Sequence, residues 1–483
     1  MFRLIFQLLQ VKFGSFSNKN NEYKRILFHF LENKGGLYIK FLQLLSVNPE
    51  FTTGWAGPKE MKVFEQVELE PLDLDSYLDP TSFSSLETHP FAAGSFAQVY
   101  KGQLSNGQAV AIKILRPSVA QNLHHDIRYI KFILKIASFF LSNSILDLNV
   151  VATEFCRNAL LETDYLREMV NQEFFAKHYQ ESDQIIIPRV YQQLSSSRVI
   201  VQDFIPGPTL AEVLAARTAA KSAVQLTKDL TGSNLWTQLT VVGSACLSDA
   251  FIADYGIGDP HPGNIKLLSN NKIGFIDFGM IANPPTNRQA FYEYTTEFLR
   301  IGQGYKKIDK ILYTCLNFFC PELVVALQNC QIIDPQTNQP HSIMDHLLQA
   351  FEDKLSTVKG EDRVQEFFNK GRMFKMINEV LDQNNILDIK ISDHDFMFLK
   401  SCNIFLNSLH TVDQESERSH YAQCFFDCLT NALQAADRYG LKENRTNHSP
   451  NLNTSESYEV LADLLSSVAN KDQFIFERFA YRI

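Results

Sequence analysis

Four short motifs that suit phosphate chemistry occur in a fixed order along this 483-residue chain. A run of small residues, Ala92–Val99, lies between two strand candidates, and Lys113 follows on the second strand. Asp259 and Asn264 share a loop stiffened by prolines, and Asp277 opens an Asp-Phe-Gly tripeptide. Each motif alone is a weak signal, because small residues are common in turns and single lysines are common at sheet edges. Their ordered combination restricts the chain to a fold that can bring these groups to one phosphate.

The residue types fit metal-assisted phosphoryl transfer. Backbone N–H groups of a loop of small residues can approach phosphate closely, and a lysine on the next strand can contact the same phosphates. Asn264 and Asp277 supply the oxygen ligands that Mg²⁺ prefers, and Asp259 supplies a carboxylate for the acceptor group. The residues therefore predict ATP and Mg²⁺ as the cofactors.

The charge of the chain limits its partners. Asp and Glu outnumber Lys and Arg by 54 to 45, so a nucleic-acid surface spread over the whole protein is not expected. Residues 1–50 are different, with seven basic side chains against three acidic ones. A basic, partly apolar start suits contact with an anionic membrane surface, although a solvated helix packed on its own domain is the simpler explanation.

Cysteine spacing and hydropathy predict a cytoplasmic protein, with peripheral membrane contact as an addition. The eight cysteines have no framework spacing, which indicates buried thiols rather than disulfides or a metal site. We expect no membrane span, because the most apolar short run, Phe132–Leu141, is only ten residues long and contains Lys135.

Periodicity predicts a change of structure along the chain. Helical patterns dominate residues 1 to about 75 and 119–181. A β-hairpin is expected where the turn Ser105-Asn106-Gly107 separates two strand-like runs. Further strands are predicted near 185–190 and 198–204, a Pro-Gly break follows at 206–208, and helices dominate the remainder apart from 259–279.

Longer segments resemble the UbiB family of atypical protein-kinase-like proteins, also called AarF or ADCK proteins. The resemblance covers roughly 35–290 and lies in IKFLQLLS (39–46), FAAGSFAQVYKG and VAIKILRP (within 91–117), LLETDYLREMVNQEFF (160–175), RVIVQDFIPG (198–207), DPHPGN (259–264) and FIDFG (275–279). Ordinary protein kinases do not share the Ala-rich loop, the E-x-D element or DPHPGN, so the match is specific.

The resemblance implies a role for each matching residue. Lys113 corresponds to the lysine that contacts nucleotide phosphates, Glu168 to the helix glutamate that pairs with it, and Asp259 to the catalytic aspartate. Asn264 and Asp277 correspond to the metal ligands. The other implied positions are the nucleotide loop Ala92, Ala93, Gly94, Ser95 and Phe96, the adenine-binding hinge Asp203 and Phe204 through their backbone, the E-x-D residues Glu162 and Asp164, and the K-x-G-Q residues Lys40 and Gln43, which pack over the active site.

The chain departs from the family pattern at several positions. Leu42 replaces the glycine of K-x-G-Q, and Gly94 replaces an alanine that is usual in the nucleotide loop. A glycine there permits φ > 0 and a closer backbone approach. No Ala-Pro-Glu-like segment follows Asp277-Phe278-Gly279, so a kinase-type peptide platform is not expected.

The predicted fold class is α+β, a protein-kinase-like two-lobed fold with MgATP between the lobes. The predicted domains are an N-terminal helical extension at 1–78, a smaller lobe with a helical insertion at 79–205, a mostly helical lobe at 206–440 and a polar linker with a helical tail at 441–483. The predicted function is an atypical kinase or ATPase with a small or lipidic acceptor, linked by the resemblance to isoprenoid-quinone biosynthesis or membrane-lipid homeostasis. The alternative is a nucleotide-binding switch or scaffold that presents lipid or partner proteins with little turnover.

Overall fold

The computed structural model describes residues 2–13, 19–32, 37–46, 69–94, 96–140, 148–218, 221–302 and 418–441, with short stretches within 310–349 and 398–412. The chain divides into two compact units. Unit 1 contains residues 1–180, 187–205 and 277–280, and unit 2 contains 181–186, 206–276 and 281–483.

Unit 1 combines helices with one antiparallel sheet. Its helices are α1 (Phe2–Phe13), α2 (Lys19–Glu32), α3 (Leu37–Ser46), α4 (Pro117–Phe140), α5 (Leu148–Glu162) and α6 (Tyr165–His178). Its strands are β1 (Phe83–Leu86), β2 (Ala92–Ala93), β3 (Ala97–Leu104), β4 (Ala109–Leu115) and β6 (Val199–Asp203). The sheet order is β1-β3-β4-β6, and β2 pairs with the start of β3.

Strand alternation places the predicted lysine on one face of this sheet. Val110, Ile112 and Ile114 of β4 lie in one hydrophobic cluster, so every second residue of the strand faces that core. Lys113 therefore points to the opposite face of the sheet. The β3–β4 hairpin turns at Gly107, whose φ of +87° is a conformation that glycine adopts without steric cost.

Unit 2 is mainly helical. Its helices are α7 (Leu210–Ala215), α8 (Ala223–Thr231), α9 (Leu235–Ile252), α10 (Arg288–Gly302) and α11 (Arg418–Arg438). Its short strands are β5 (Ile185–Ile186), β7 (Gly256–Ile257), β8 (Ile265–Leu267), β9 (Ile273–Phe275), β10 (Ile281–Ala282), β11 (Gln331–Ile333) and β12 (Pro340–Ser342). They form a three-stranded sheet β5-β9-β8 and two strand pairs, β7 with β10 and β11 with β12.

Helices α9 and α11 form the centre of unit 2 through close packing of small residues. A Cβ atom at Gly243 of α9 would lie 2.5 Å from Cys428 Sγ of α11, so the two helices need a glycine at this point. Cys428 and Cys424 are buried one turn apart on α11, and neither forms a disulfide. These thiols are core side chains.

The α+β class predicted from the sequence is confirmed, and so is the hairpin around Gly107. The sequence predicts strands near 185–190 and 198–204 together in the smaller lobe. The first of them is β5, and it pairs with β9 in unit 2. Asp277 to Met280, in contrast, belong to unit 1 although most of the flanking chain is in unit 2. The predicted linker and tail at 441–483 lie outside the described residues beyond Leu441.

Candidate active site

Three of the predicted site residues meet in unit 1. The Lys113 ammonium donates to both carboxylate oxygens of Glu168, at 2.7 and 2.9 Å, and to Asp277 Oδ2 at 3.0 Å. Glu168 is only 2% exposed, whereas the Asp277 side chain is 34% exposed. The ammonium thus lies between one buried carboxylate and one that solvent or a ligand can reach.

The pKa values of the three groups follow from burial and mutual attraction. Burial raises the pKa of Glu168 to about 7, against the attraction of Lys113. Burial also raises the pKa of Asp277, but Lys113 and the N–H of Gly279 outweigh it, so the pKa of Asp277 is lowered. Burial lowers the pKa of Lys113, but the attraction of Asp277 and Glu168 holds it well above its ordinary value. At neutral pH, Lys113 is cationic and Asp277 is anionic.

Helix α6 positions Glu168 and holds the Asp-Phe-Gly turn. Asp164 is the N-cap of the helix, since its side chain accepts a hydrogen bond from the N–H of Arg167 at 3.1 Å. One turn after Glu168, the Asn171 amide donates to the carbonyl oxygen of Phe278 at 2.8 Å. Asp164 therefore has a structural role as a cap.

Helix α3 contributes the lysine of the altered K-x-G-Q element. Lys40 forms an ion pair with Glu162, and its ammonium lies 4.0 Å from the centroid of the Phe96 ring. Leu42, which replaces the family glycine, is fully buried. The bulky Leu42 thus coexists with contact between α3, the E-x-D glutamate and the nucleotide loop. Gln43 lies in the same helix.

The small-residue loop is closed by hydrogen bonds and does not require its glycine. The N–H of Gly94 donates to the carbonyl of Ala97 at 2.8 Å, and Arg116 Nε donates to the Gly94 carbonyl at 3.0 Å. The φ of Gly94 lies outside the left-handed region, and a Cβ atom there would meet nothing closer than 4.0 Å. The conformational freedom expected of Gly94 is not used in this structure. Ser95 lies outside the described residues.

The predicted hinge residues use their backbone donors within the protein. The N–H of Asp203 donates to the carbonyl of Arg189, and that of Phe204 donates to the carbonyl of Ala109, each at 3.0 Å. The Asp203 carboxylate accepts from Tyr191 at 2.7 Å. Any base contact through Asp203 and Phe204 would therefore depend on their carbonyl oxygens.

Asp259 and Asn264 are brought together in unit 2. The Asn264 amide nitrogen donates to Asp259 Oδ2 at 3.0 Å, which directs the amide oxygen away as the atom that could bind a cation. Between them, His261 Nδ1 accepts from the N–H of Gly263 at 3.1 Å, and its ring is exposed. These contacts fix the loop that precedes β8.

Each unit offers one oxygen donor of the type that Mg²⁺ prefers. Asp277 offers an ionised, partly exposed carboxylate, and Asn264 offers an amide oxygen; both are hard ligands. Within the described ranges, no group of three or more His, Cys, Asp or Glu side chains is arranged to hold a metal ion.

Two residues of α6 were not singled out by the sequence analysis. Asn171 holds the carbonyl of Phe278, and the ring of Tyr165 lies under Lys113, with the ammonium 5.3 Å from the ring centroid. Both are three residues from Glu168, a spacing that places them on its face of the helix. That spacing is the signal that could have identified them.

One helix of the described residues is long and apolar enough to cross a membrane. It is α9, Leu235–Ile252, with a mean hydropathy of 1.2. Of this helix, 67% is buried inside the protein, as is typical of a core helix. This helix differs from Phe132–Leu141, the most apolar short run in the sequence.

Comparison with known proteins identifies the domain. Residues 73–308 match the family model of the ABC1 atypical kinase-like domain. The Arabidopsis thaliana protein ACTIVITY OF BC1 COMPLEX KINASE 3, chloroplastic, is 28% identical over 53% of this chain. The uncharacterised aarF domain-containing protein kinase At1g71810, chloroplastic, of the same plant is 32% identical over 48%. The aligned region covers only 34% and 30% of these relatives' own length.

A solved structure is also similar. It is the complex of Rv3197 with erythromycin from Mycobacterium tuberculosis, with 19% sequence identity and a TM-score of 0.44, covering 84% of this chain and 87% of that one. The family assignment rests on the domain match and on the named kinase relatives. Residues 73–308 of this chain are therefore an ABC1 atypical kinase-like domain, and the chain is similar to the named kinases through this domain.

Proposed function

We propose that the protein binds MgATP and either hydrolyses it or transfers its γ-phosphoryl group to a small or lipidic acceptor. The observation that carries this proposal is the position of the Lys113 ammonium, within 3.0 Å of both Glu168 and Asp277. A cation held by a buried carboxylate, next to a partly exposed one, is an arrangement that suits phosphate and a divalent ion.

Each residue of the site has a separate role in this proposal. Glu168 holds Lys113 in place, and Lys113 contacts the phosphates. Asp277 and the amide oxygen of Asn264 hold Mg²⁺, which neutralises negative charge on the phosphates when bound. Asp259 orients the acceptor hydroxyl or water and accepts its proton. The roles given to Asp259 and Asn264 rest on the family resemblance and on their mutual hydrogen bond.

The test compares wild type with Asp277→Ala and with the exposed control Asp183→Ala. Release of phosphate from ATP is measured with Mg²⁺, with and without vesicles that contain anionic lipid. We expect turnover in wild type and in the control, and a loss of at least tenfold in Asp277→Ala, because the only carboxylate assigned to the metal is removed. Lys113→Ala is expected to weaken the thermal stabilisation that ATP gives.

The same experiment separates the enzyme from the nucleotide-binding switch. ATP binding that depends on Mg²⁺, with no product from wild type under either condition, would leave the switch as the function. An unchanged ATP-dependent melting shift in Lys113→Ala would mean that the nucleotide does not bind at this cluster. A role in isoprenoid-quinone biosynthesis or membrane-lipid homeostasis is the family-based part of the proposal. Lipid profiles of a deletion strain that carries Asp277→Ala, compared with one that carries wild type, test it.

We also propose an anionic membrane surface as a partner of helix α1. Leu8 and Val11 are buried, whereas Phe6 and Phe13 are 62% and 81% exposed on the opposite face of the helix. Lys12 beside them is exposed, so a cation lies next to the apolar stripe.

Vesicle sedimentation tests this surface. Phe6→Ser/Phe13→Ser is expected to lose binding to anionic vesicles, because two aromatic side chains no longer enter the lipid. Leu230→Ser, which alters an exposed leucine of unit 2, is the control. Equal binding by both variants would exclude α1 as the contact.

A further inference from the structure

Tyr165 is a buried phenol whose hydroxyl group has no hydrogen-bond partner. The residue is only 1% exposed, and its oxygen atom is inaccessible to solvent. Buried polar groups are nearly always paired, because an unpaired donor loses its hydrogen bond to water without replacement. The unpaired Tyr165 hydroxyl is therefore a candidate for a hydrogen bond to a bound ligand.

The surroundings of Tyr165 are those of the nucleotide cluster. Its ring lies under the Lys113 ammonium, and on α6 it is one turn before Glu168. The carboxylates of Asp277 and Glu162 also act on it electrostatically. A Cβ atom built on Gly279 would lie 3.6 Å from Glu168 and 3.8 Å from the backbone of Glu162, so the Asp-Phe-Gly turn packs against the same helix ends.

The phenol is a hydrogen-bond donor in this environment. Burial raises the pKa of Tyr165, so the hydroxyl keeps its proton at neutral pH. Lys113 is already committed to Glu168 and Asp277, and none of these groups pairs with the hydroxyl. A phenol whose ring lies against a lysine that is assigned to phosphates is suited to donate to a phosphate oxygen.

We propose that the Tyr165 hydroxyl, which is covered in the ligand-free protein, becomes accessible when MgATP binds and donates a hydrogen bond to an oxygen of the nucleotide's phosphate chain. The inference rests on the proposed binding of ATP and extends it to a residue that neither the motif order nor the family resemblance had assigned. Tyr165 is then a phosphate-binding residue, and Glu168, one turn away, positions the lysine beside it.

The test is Tyr165→Phe, which removes only the hydroxyl. MgATP affinity is measured by calorimetric titration, and the melting temperature of the ligand-free protein is measured separately. We expect the affinity for MgATP to fall about 10- to 100-fold, as for one hydrogen bond to a charged group. The ligand-free melting temperature should stay the same or rise, because the hydroxyl has no partner to lose.

Tyr100→Phe is the matched control. Tyr100 is also buried in unit 1, but its hydroxyl accepts a hydrogen bond from Gln98 at 2.8 Å. Its loss should lower the ligand-free melting temperature and leave the MgATP affinity unchanged. The two tyrosines therefore have opposite expected signatures, and a general effect of losing a buried hydroxyl would appear in both.

Two outcomes would overturn the inference while ATP binding stands. If Tyr165→Phe binds MgATP as wild type does but melts at a lower temperature, the hydroxyl holds a structural water. If neither quantity changes, the hydroxyl has no function in binding. Wild type that fails to bind MgATP would instead refute the proposed function itself, and the inference with it.

Discussion

Replacing Lys113 with methionine should destabilise unit 1 in a pH-dependent manner. Methionine keeps the length of the side chain but leaves Glu168 without its cation. Removing one partner of a buried ion pair costs about 3–5 kcal/mol, because the other charge stays buried. The contact with Asp277 adds about 1 kcal/mol or less, since that side chain is 34% exposed and water screens it.

The sign of the pH dependence follows from the pKa of Glu168. In the folded protein this pKa is about 7, above its ordinary 4.5, so the folded state binds more protons between these values. The contribution of Glu168 to the free energy of unfolding therefore falls as pH rises through this window. Without Lys113 the pKa rises further. Each pH unit above the wild-type pKa of Glu168, about 7, then adds about 1.4 kcal/mol to the penalty until Glu168 also ionises in the variant. The penalty of Lys113→Met should therefore be about 1 kcal/mol or less at pH 5, where Glu168 is neutral, and about 2–3 kcal/mol at pH 8.5.

Hydrogen exchange of peptides from α6 measures this penalty locally, after correction for the intrinsic exchange rate at each pH. At pH 8.5, protection should drop by about 10–10²-fold relative to wild type. Lys177→Met, an exposed lysine of the same helix, should behave as wild type. The double variant Lys113→Met/Glu168→Gln should recover most of the loss. Equal losses at pH 5 and pH 8.5 would refute the reasoning, because the penalty would then not come from an ionised Glu168.

Four further predictions concern backbone and side-chain positions. Gly207→Ala should lower the free energy of unfolding by more than about 2 kcal/mol, because φ is +96° and the new Cβ atom would lie 2.5 Å from a carbonyl oxygen of β8. Gly107→Ala, with φ of +87° and open space around it, should cost about 1 kcal/mol in the same denaturant titration. Asn171→Leu should cost about 1–3 kcal/mol by leaving the carbonyl of Phe278 unpaired, and proteolysis of the Asp-Phe-Gly segment should accelerate; unchanged cleavage would contradict this role. Gly94→Ala should leave the melting temperature of the ligand-free protein unchanged, and a fall of several degrees would show that the loop needs its glycine.

Local patterns determined much of unit 1. The alternation of Val110, Ile112 and Ile114 fixes which face of β4 is buried, and so the side on which Lys113 emerges. The turn residues before Gly107 fix the register of the hairpin. These features depend on neighbours within a few residues, and a sequence pattern carries such information directly.

Local sequence patterns did not predict which segments belong to each of the two units. A short apolar strand has the same sequence pattern in either sheet. The sequence therefore did not show that β5 pairs with β9 in unit 2. The hinge prediction has the same limit. Backbone N–H groups carry no sequence signature, and only the packed structure shows that those of Asp203 and Phe204 already donate to other carbonyls.

For the candidate site, the sequence by itself determined the chemical groups: a lysine, carboxylates and an amide in a fixed order. The tertiary structure confirms the pairing of Lys113 with Glu168 across 55 residues, which the family resemblance implied. Tertiary structure alone decided that Lys113 also meets Asp277 across 164 residues and that the Tyr165 hydroxyl is left without a partner. The physical reason is that burial and pairing depend on which distant segments pack together. Those contacts set the desolvation and the charge that each group experiences.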